Sequence, residues 1–306
     1  MMENNLDYHV PVMLNECIDA LNINPDGIYV DVTFGGGGHS KEIFKKLSPK
    51  GKLIVFDQDP DAKNNAWEAD NFEFVAANFA YIANHLRLLG IKKVDGILAD
   101  LGVSSHQFDE ASRGFSIRGN AKLDMRMNQQ SDLSAFEVVN EYSEEELLRI
   151  FRAYGEIPNA RKLVNTIVAS RAVRKIKTTE ELIEQTTSCA PKYKENKYFA
   201  QVFQAIRIEV NDEMGTLEQF LNATAEVLNP EGRLVVMSYH SLEDRLVKNF
   251  TKRGSMSGKI EKDFFGNILK PFTEIVRHPI IPTDEEIAVN SRARSAKLRI
   301  AARNGE

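Results

Sequence analysis

Cysteines, long apolar runs and clustered metal ligands are scarce in this sequence of 306 residues. Two cysteines, Cys17 and Cys189, can supply neither a disulfide framework nor a zinc knuckle, and they are typical of a reducing, intracellular compartment. No apolar run reaches the roughly 18 residues of a membrane span, and the first residues lack the basic and apolar regions of a secretory signal. The six histidines form neither an H-x-x-x-H motif nor a His/Cys cluster, so we expect no metal site. These absences predict a cytoplasmic protein with no membrane partner.

The sequence also lacks an excess of basic residues. It has 39 lysines and arginines against 44 acidic residues, which gives a formal net charge of −5. Taken over the whole chain, this balance argues mildly against a polyanionic partner. The proportions of hydrophobic (42%) and charged (27%) residues exclude disorder as the main state, and the length predicts about two domains.

Short β-rich runs alternate with helical patterns in the first hundred residues. The runs cover 28–32, 53–57, 72–75 and 94–100, and a helix is expected over 41–47. Strands that alternate with helices indicate βαβ units and a mostly parallel sheet, so the predicted fold class is α/β. Ligands of such sheets bind beyond the carboxyl ends of the strands, where we look first for a site.

From about residue 109 to residue 196 the pattern is helical only. Three pairs with capping-box spacing mark helix starts in or near this part: Ser134 with Glu137, Ser143 with Glu146, and Thr178 with Glu181. The strand pattern resumes over 233–238 and 298–301, and the glycine- and lysine-rich stretch 254–266 is expected to be a mobile loop. We therefore predict a discontinuous sheet domain, 1–108 plus 201–306, interrupted by an all-helical domain over 109–200.

The strongest candidate for a binding site is a run of four glycines, Gly35 to Gly38, between a strand and a helix. Glycines there let the backbone pass close to a ligand, whereas a merely flexible turn costs chain entropy with no evident packing gain. Asp57 ends the second strand 19 residues past Gly38, where a carboxylate accepts hydrogen bonds from ribose hydroxyls. The run therefore predicts a nucleoside-type cofactor.

The residues around the glycines favour methyl transfer over hydride transfer. Ser40 stands where the nicotinamide fingerprint G-x-G-x-x-G needs its third glycine. Asp31 lies four residues before the first glycine, and a carboxylate there suits the cationic methionine end of S-adenosyl-L-methionine (SAM). The same carboxylate would repel a pyrophosphate.

Candidate catalytic residues follow the fourth strand and a later one. Asp100 ends the fourth strand, where a hydrogen-bond acceptor could activate a weakly nucleophilic exocyclic amine and receive its proton; the alternative is a cofactor contact or loop cap only. Tyr239 and His240 follow the strand at 233–238 and could hold a base by stacking and hydrogen bonding. A hydrolase is disfavoured, because the Ser, His and Asp residues near 240 are too close in sequence for a triad and no G-x-S-x-G elbow exists.

Together these motifs resemble the bacterial small-subunit rRNA cytosine-N4 methyltransferase family (RsmH/MraW). The resemblance covers nearly the whole chain, and Ser291 replaces a proline that is common in the family. The matching stretches are 9–12, 31–40, 57–60, 100–105, 113–116, 123–127, 203–208, 238–245 and 290–295.

The resemblance implies a Rossmann-like class I SAM-dependent methyltransferase sheet with an inserted helical recognition domain. It implies methylation at N4 of one cytidine in the decoding region of 16S rRNA, and it leaves a homodimer open. The positions expected to bind the cofactor are Asp31, Gly35, Gly37, Gly38, His39, Asp57, Phe79, Asp100 and Gln107. Phe79 would form an apolar wall for adenine, with core packing as the alternative.

An RNA substrate changes how the charge is interpreted. Residues 1–108 hold 9 basic and 15 acidic side chains, whereas 109–200 hold 15 and 14, and 201–306 hold 15 and 15. Two stretches, 161–177 and 292–303, carry several basic residues and no acid, and they are either phosphate contacts or solvated faces. We expect RNA to meet the insertion and the C-terminal segment.

Two other functions are alternatives to methyl transfer. An NAD(P) oxidoreductase of Rossmann type would share the sheet and the glycine-rich turn. A non-catalytic RNA-binding or ribosome-assembly factor would not need the strand-end acids Asp31, Asp57 and Asp100.

Overall fold

Seven strands form one sheet in the first of the two units into which the chain divides. This unit joins Met1–Gly102 to Met214–Glu306, and the second unit is Val103–Glu213. The computed structural model describes residues 11–103, 107–108 and 110–305, so residues 9–10 and 104–105 of the motifs above lie outside the described residues. None of the described helices combines the length and the apolar character that crossing a membrane requires.

The sheet has the strand order β3-β2-β1-β4-β5-β7-β6. Its strands are β1 (Ile28–Asp31), β2 (Lys52–Asp57), β3 (Phe72–Ala76), β4 (Val94–Asp100), β5 (Leu228–Ser238), β6 (Phe272–Glu274) and β7 (Lys297–Arg303). The strands β1 to β5 pair in parallel, and β7 is antiparallel to both β5 and β6. The predicted strands and the α/β fold class are confirmed. The strand β6 was not predicted, because three residues are too few to show an alternating pattern.

The helices are α1 (Leu14–Ala20), α2 (Gly38–Lys46), α3 (Ile82–Leu88), α4 (Ala135–Glu141), α5 (Glu144–Ala153), α6 (Ala160–Val173), α7 (Thr179–Thr186), α8 (Glu195–Val210), α9 (Glu213–Val227), α10 (Ser241–Arg253) and α11 (Asp284–Val289). Successive residues of the central strands face opposite sides of the sheet. Leu53 and Val55 belong to one apolar cluster, and Ile54 and Phe56 belong to the other. A sheet buried on both faces leaves its strand ends as the place for polar chemistry.

The second unit surrounds an apolar core of its own, to which α4 to α8 contribute. Ser134 and Ser143 form the predicted reciprocal capping boxes at the starts of α4 and α5. Thr178 accepts from the Glu181 amide, whereas the Glu181 carboxylate accepts from the Lys177 amide instead of closing a box. Three of the helices that contribute to this core therefore begin at the capping residues that the sequence pattern predicts.

Candidate functional site

Three neighbouring parallel strands end in an acid at the same edge of the sheet. Asp57, Asp31 and Asp100 are the last residues of β2, β1 and β4, and β1 lies between the other two. The chain reverses its strand order between β1 and β4, and the crevice at such a reversal is the usual ligand site of an open α/β sheet. The structure therefore brings the three predicted acids to one place.

Asp31 is almost fully buried, at 1% exposure, and it fixes the turn that follows β1. Its Oδ1 accepts from the Thr33 amide (3.1 Å), and its Oδ2 accepts from the Ser40 hydroxyl (2.6 Å). One carboxylate thus holds both ends of the glycine-rich turn. This role of Asp31 in holding the turn was not predicted. The carboxylate still lies at the edge of the site.

Asp57 holds the middle of the same turn. Its Oδ2 accepts from the Gly35 amide and its Oδ1 from the Asp59 amide, both at 2.8 Å. Burial raises the pKa of Asp57 to about 6, although the two amide hydrogen bonds act in the opposite direction. A carboxylate has about four lone-pair sites, so acceptor capacity remains for ribose hydroxyls.

The helix after the glycines begins three residues earlier than predicted, at Gly38 instead of Lys41. Gly37 is the residue before its first turn, with a left-handed φ of 74°. A Cβ at Gly37 would lie 2.9 Å from the Phe34 ring, and one at Gly38 would lie 2.2 Å from the ring of Pro11. The expectation that these glycines bring no packing gain was wrong, because the neighbouring rings occupy the space of the missing side chains. The helix N-terminus still presents its free amides to the site.

Asp100 and Tyr239 form a direct contact at the ends of β4 and β5. The Tyr239 hydroxyl donates to Asp100 Oδ1 at 2.8 Å, and the Asp100 amide donates to the Thr33 hydroxyl at 2.7 Å. Gly102, with a φ of 103°, leaves room for the ring, since a Cβ there would be 3.3 Å from Tyr239 Cδ2. The two predicted catalytic residues are thus joined although they lie 139 residues apart in the sequence.

Burial raises the pKa values of both Asp100 and Tyr239. It raises the pKa of Asp100 to about 6, while nearby His39 and the Tyr239 hydroxyl act to lower it. Burial also raises the pKa of the Tyr239 phenol well above its ordinary value, with the Asp100 charge as a second cause. His39 Nδ1 lies 3.9 Å from Asp100 Oδ2, and its Nε2 lies 3.1 Å from the Val12 carbonyl oxygen. The raised pKa of about 6 is compatible with the predicted role of Asp100 as a proton acceptor.

His240 follows Tyr239 and caps the helix α10. Its Nδ1 lies 3.5 Å from the Glu243 amide, and its Nε2 lies 3.2 Å from Glu243 Oε1. The Glu243 carboxylate accepts in return from the amides of Tyr239 (2.9 Å) and His240 (3.3 Å). This arrangement is a capping box with histidine in the place of serine, and it gives His240 a structural role besides the predicted catalytic one.

Phe79 and Gln107 are the remaining predicted cofactor residues. Phe79 begins a short 3-10 helix after β3, and its ring packs edge-to-face on Phe220, with 5.2 Å between centroids. It is partly exposed, so both core packing and a remaining apolar face are present. Gln107 belongs to the second unit and is buried, at 5% exposure.

Thr33 and Glu243 are the residues that sequence reasoning missed at this edge. The Thr33 hydroxyl links the Asp31 carboxylate to the Asp100 amide. Glu243 fixes the backbone that carries Tyr239. The spacing of His240 and Glu243 is that of a capping box, and it would have indicated Glu243 had histidine been considered as a cap.

A doubly wound sheet, a glycine-rich turn at the start of a helix and three strand-end acids define a class I SAM-dependent methyltransferase. The chain belongs to the MraW methylase family, whose model matches residues 7–304.

Its relatives match over almost the full length of both chains. A "Ribosomal RNA small subunit methyltransferase H" of Flavobacterium johnsoniae is 57% identical over 300 residues, which are 98% of this chain and 99% of that protein. A protein of the same name from Parabacteroides distasonis is 54% identical over 302 residues, again 98% of this chain and 99% of that one. A solved putative methyltransferase of Streptococcus mutans in complex with SAH aligns with 96% of this chain and 99% of its own, at 12% identity and a TM-score of 0.43, a likeness too distant to bear on the site.

Proposed function

We propose that this protein methylates N4 of one cytidine in the decoding region of 16S rRNA, with SAM as the methyl donor. The names of its relatives support the action on small-subunit rRNA. The contact between Asp100 and Tyr239 is the observation that carries the proposal for an amine, because it sets a carboxylate acceptor beside an aromatic ring at the ligand edge of the sheet.

The residues around the glycine-rich turn fit SAM. The buried carboxylate of Asp31 suits the positively charged methionine end of the cofactor, and Asp57 has acceptor sites left for ribose hydroxyls. Gly35 and Gly37 have positive φ values of 49° and 74°, which only glycine adopts without strain. Once bound, SAM supplies an electrophilic methyl group on a sulfonium centre.

The cytosine amine needs activation, because its lone pair is delocalised into the ring. Asp100 would accept a hydrogen bond from N4 and turn the lone pair towards the methyl carbon. Methylation would leave N4 with one proton too many, and Asp100, whose pKa of about 6 suits such a transfer near neutral pH, would accept that proton. Tyr239 orients the carboxylate through its 2.8 Å hydrogen bond and offers a ring on which the base can stack.

The helical unit is proposed to bind RNA through the exposed cations of the stretch 161–177. Several of its basic residues are engaged locally: Arg171 donates to the Val139 and Tyr142 carbonyls, and Arg174 pairs with Glu181 at 2.8 Å. Arg161 and Lys177 are exposed and offer the stronger phosphate contacts. Such contacts would make binding fall with salt.

A transfer assay tests the proposed function. Purified protein is incubated with labelled SAM and with small ribosomal subunits from cells that lack this methylation, and the modified nucleotide is mapped. We expect label at one cytidine, on N4. Asp100→Asn should abolish transfer at saturating SAM, whereas the exposed Asp70→Asn control should not change it. Label on another base or atom, or no label in 16S rRNA, would overturn the proposal.

A further inference from the structure

Two phenylalanines stand exposed at the tip of a hairpin that the site does not use. Phe264 is 97% and Phe265 is 85% exposed, and their rings touch edge-to-face with 5.5 Å between centroids. Most other phenylalanines of this unit for which burial is described are buried or partly buried. Large apolar side chains held in water in this way mark an interaction surface.

The hairpin has a defined shape. Lys262 pairs with Ile268 across it, and the Leu269 amide donates to the Glu261 carbonyl at 2.9 Å. The Asp263 carboxylate closes the turn by accepting from the amides of Phe265 and Asn267, both at 2.9 Å. The two rings are therefore presented on a hydrogen-bonded turn within and beside the stretch 254–266.

The base of the hairpin is fixed to the end of α10. Gly254 ends this helix with a φ of 76°, and a Cβ there would lie 2.2 Å from the Leu269 carbonyl oxygen. Arg253 donates to the Gly258 carbonyl at 3.1 Å. Because α10 starts beside Tyr239 and has 13 residues, the hairpin begins about 20 Å from the candidate catalytic pair.

The hairpin carries positive charge in a unit that is otherwise acidic. Residues 252–270 contain five basic residues (Lys252, Arg253, Lys259, Lys262 and Lys270) and two acids (Glu261 and Asp263), a balance of +3. The rest of the unit, Met1–Gly102 with Met214–Glu306, contains 18 basic and 25 acidic residues, a balance of −7. The charge therefore favours a polyanion at this place.

We infer that this hairpin binds single-stranded or looped RNA of the substrate, with unpaired bases stacked on Phe264 and Phe265 and phosphates beside Lys259 and Lys262. Exposed aromatic rings bind unpaired bases by stacking, and lysines beside them contact the backbone. Lysine is depleted in protein–protein interfaces, so RNA fits this surface better than a protein does. The inference rests on the proposed function, and it adds a contact remote from the reacting cytidine.

Kinetics on the full chain test the inference. The double variant Phe264→Ala/Phe265→Ala should raise the KM for methyl-deficient small subunits about 10-fold or more, because stacking on both rings is lost. Its kcat and its Kd for SAM should equal those of the unaltered protein, because the hairpin does not touch the reacting atoms. Val289→Ala, which alters another exposed apolar residue of this unit (87% exposed), is the matched control. A KM within twofold of the unaltered protein would overturn the inference.

Charge and cross-linking separate RNA from other partners. Lys259→Gln/Lys262→Gln should reduce the slope of log affinity against log salt by about 1 to 2. p-Benzoylphenylalanine in place of Phe264 should cross-link to 16S rRNA, whereas cross-links only to a ribosomal protein or to a second copy would overturn the inference. If the unaltered protein methylates no rRNA, the proposed function has failed instead, and the same cross-link with isolated 16S rRNA still decides what the hairpin binds.

Discussion

The contact between Asp100 and Tyr239 leads to a prediction about the pH dependence of the proposed reaction. In the proposed reaction the carboxylate must be ionised to accept the N4 hydrogen, so we expect turnover to fall as the pH drops through its pKa of about 6. The hydroxyl of Tyr239 stabilises the ionised form by donating to it.

Tyr239→Phe should therefore move the acidic limb of the kcat profile to higher pH, because the pKa of Asp100 rises when this hydrogen bond is lost. The profile is measured at saturating SAM, so that weaker cofactor binding at low pH does not contribute. Asp70→Asn serves as the control and should leave the limb in place. A limb that stays at the same pH in the Tyr239 variant would contradict the role given to the hydroxyl.

Asp57→Ala should weaken SAM binding about 10-fold or more. The substitution removes the proposed acceptor for ribose hydroxyls and frees the Gly35 amide that shapes the turn, and hydrogen bonds to a charged group contribute about 1.5–3 kcal/mol each. Titration calorimetry with SAM measures the change, with the circular dichroism spectrum as a check on folding. An unchanged Kd in a folded variant would refute the role of Asp57.

The three strand-end acids could be predicted from the sequence, but their hydrogen-bond partners could not. Each acid stands at the end of an apolar run, which marks the ligand edge of a parallel sheet. No pattern in the sequence indicates that Asp31 reaches Ser40 or that Thr33 joins β1 to Asp100, because these bonds depend on how the turn folds back.

At the scale of helices, the cap of α10 explains why His240 and Glu243 lie beside Tyr239. The box formed by His240 and Glu243 begins α10 and holds the backbone of Tyr239 in place. The position of His240 after β5 predicts a catalytic role, and the cap is a second reason for a hydrogen-bonding side chain at that position.

Two substitutions separate the cap from the predicted contact with the base. His240→Ala should lower the free energy of unfolding by about 1 kcal/mol, whereas His240→Asn keeps a capping oxygen and should recover most of that stability. Thermal or urea denaturation measures both. We expect kcat on small subunits to fall in the stable asparagine variant as well, since an amide cannot replace the imidazole against a base. An asparagine variant with full turnover would leave the cap as the only role of His240.

At the scale of the whole molecule, the sheet depends on the end of the chain. The strand β7 lies between β5 and β6 and pairs with both, and its Leu298 and Ile300 are buried at 0% and 6% exposure. No local sequence pattern indicates that residues 297–303 pair between two earlier strands. The sequence therefore predicted the strand but not its position in the sheet.

A chain that ends at residue 296 should therefore fail to fold its sheet unit. Losing two buried aliphatic side chains alone costs about 4–10 kcal/mol, which approaches the whole stability of a typical domain. Solubility and the thermal transition of the purified chain are the readouts. A chain that ends at Asn304, and so keeps β7, should behave like the full chain, and a folded 296-residue chain would show that β7 is dispensable.

The sequence by itself determined the strands other than β6, the glycine-rich turn, the strand-end acids and the caps of α4, α5 and α7, because each depends on periodicity or on neighbours within a few residues. The tertiary structure decided which strand edges meet, and so it decided that Asp100 receives the hydroxyl of a tyrosine 139 residues away. It also decided that Pro11 fills the space beside Gly38, and that Phe264 and Phe265 stay in water while other phenylalanines pack. Burial depends on what packs against a side chain, and that is set by contacts between distant parts of the chain.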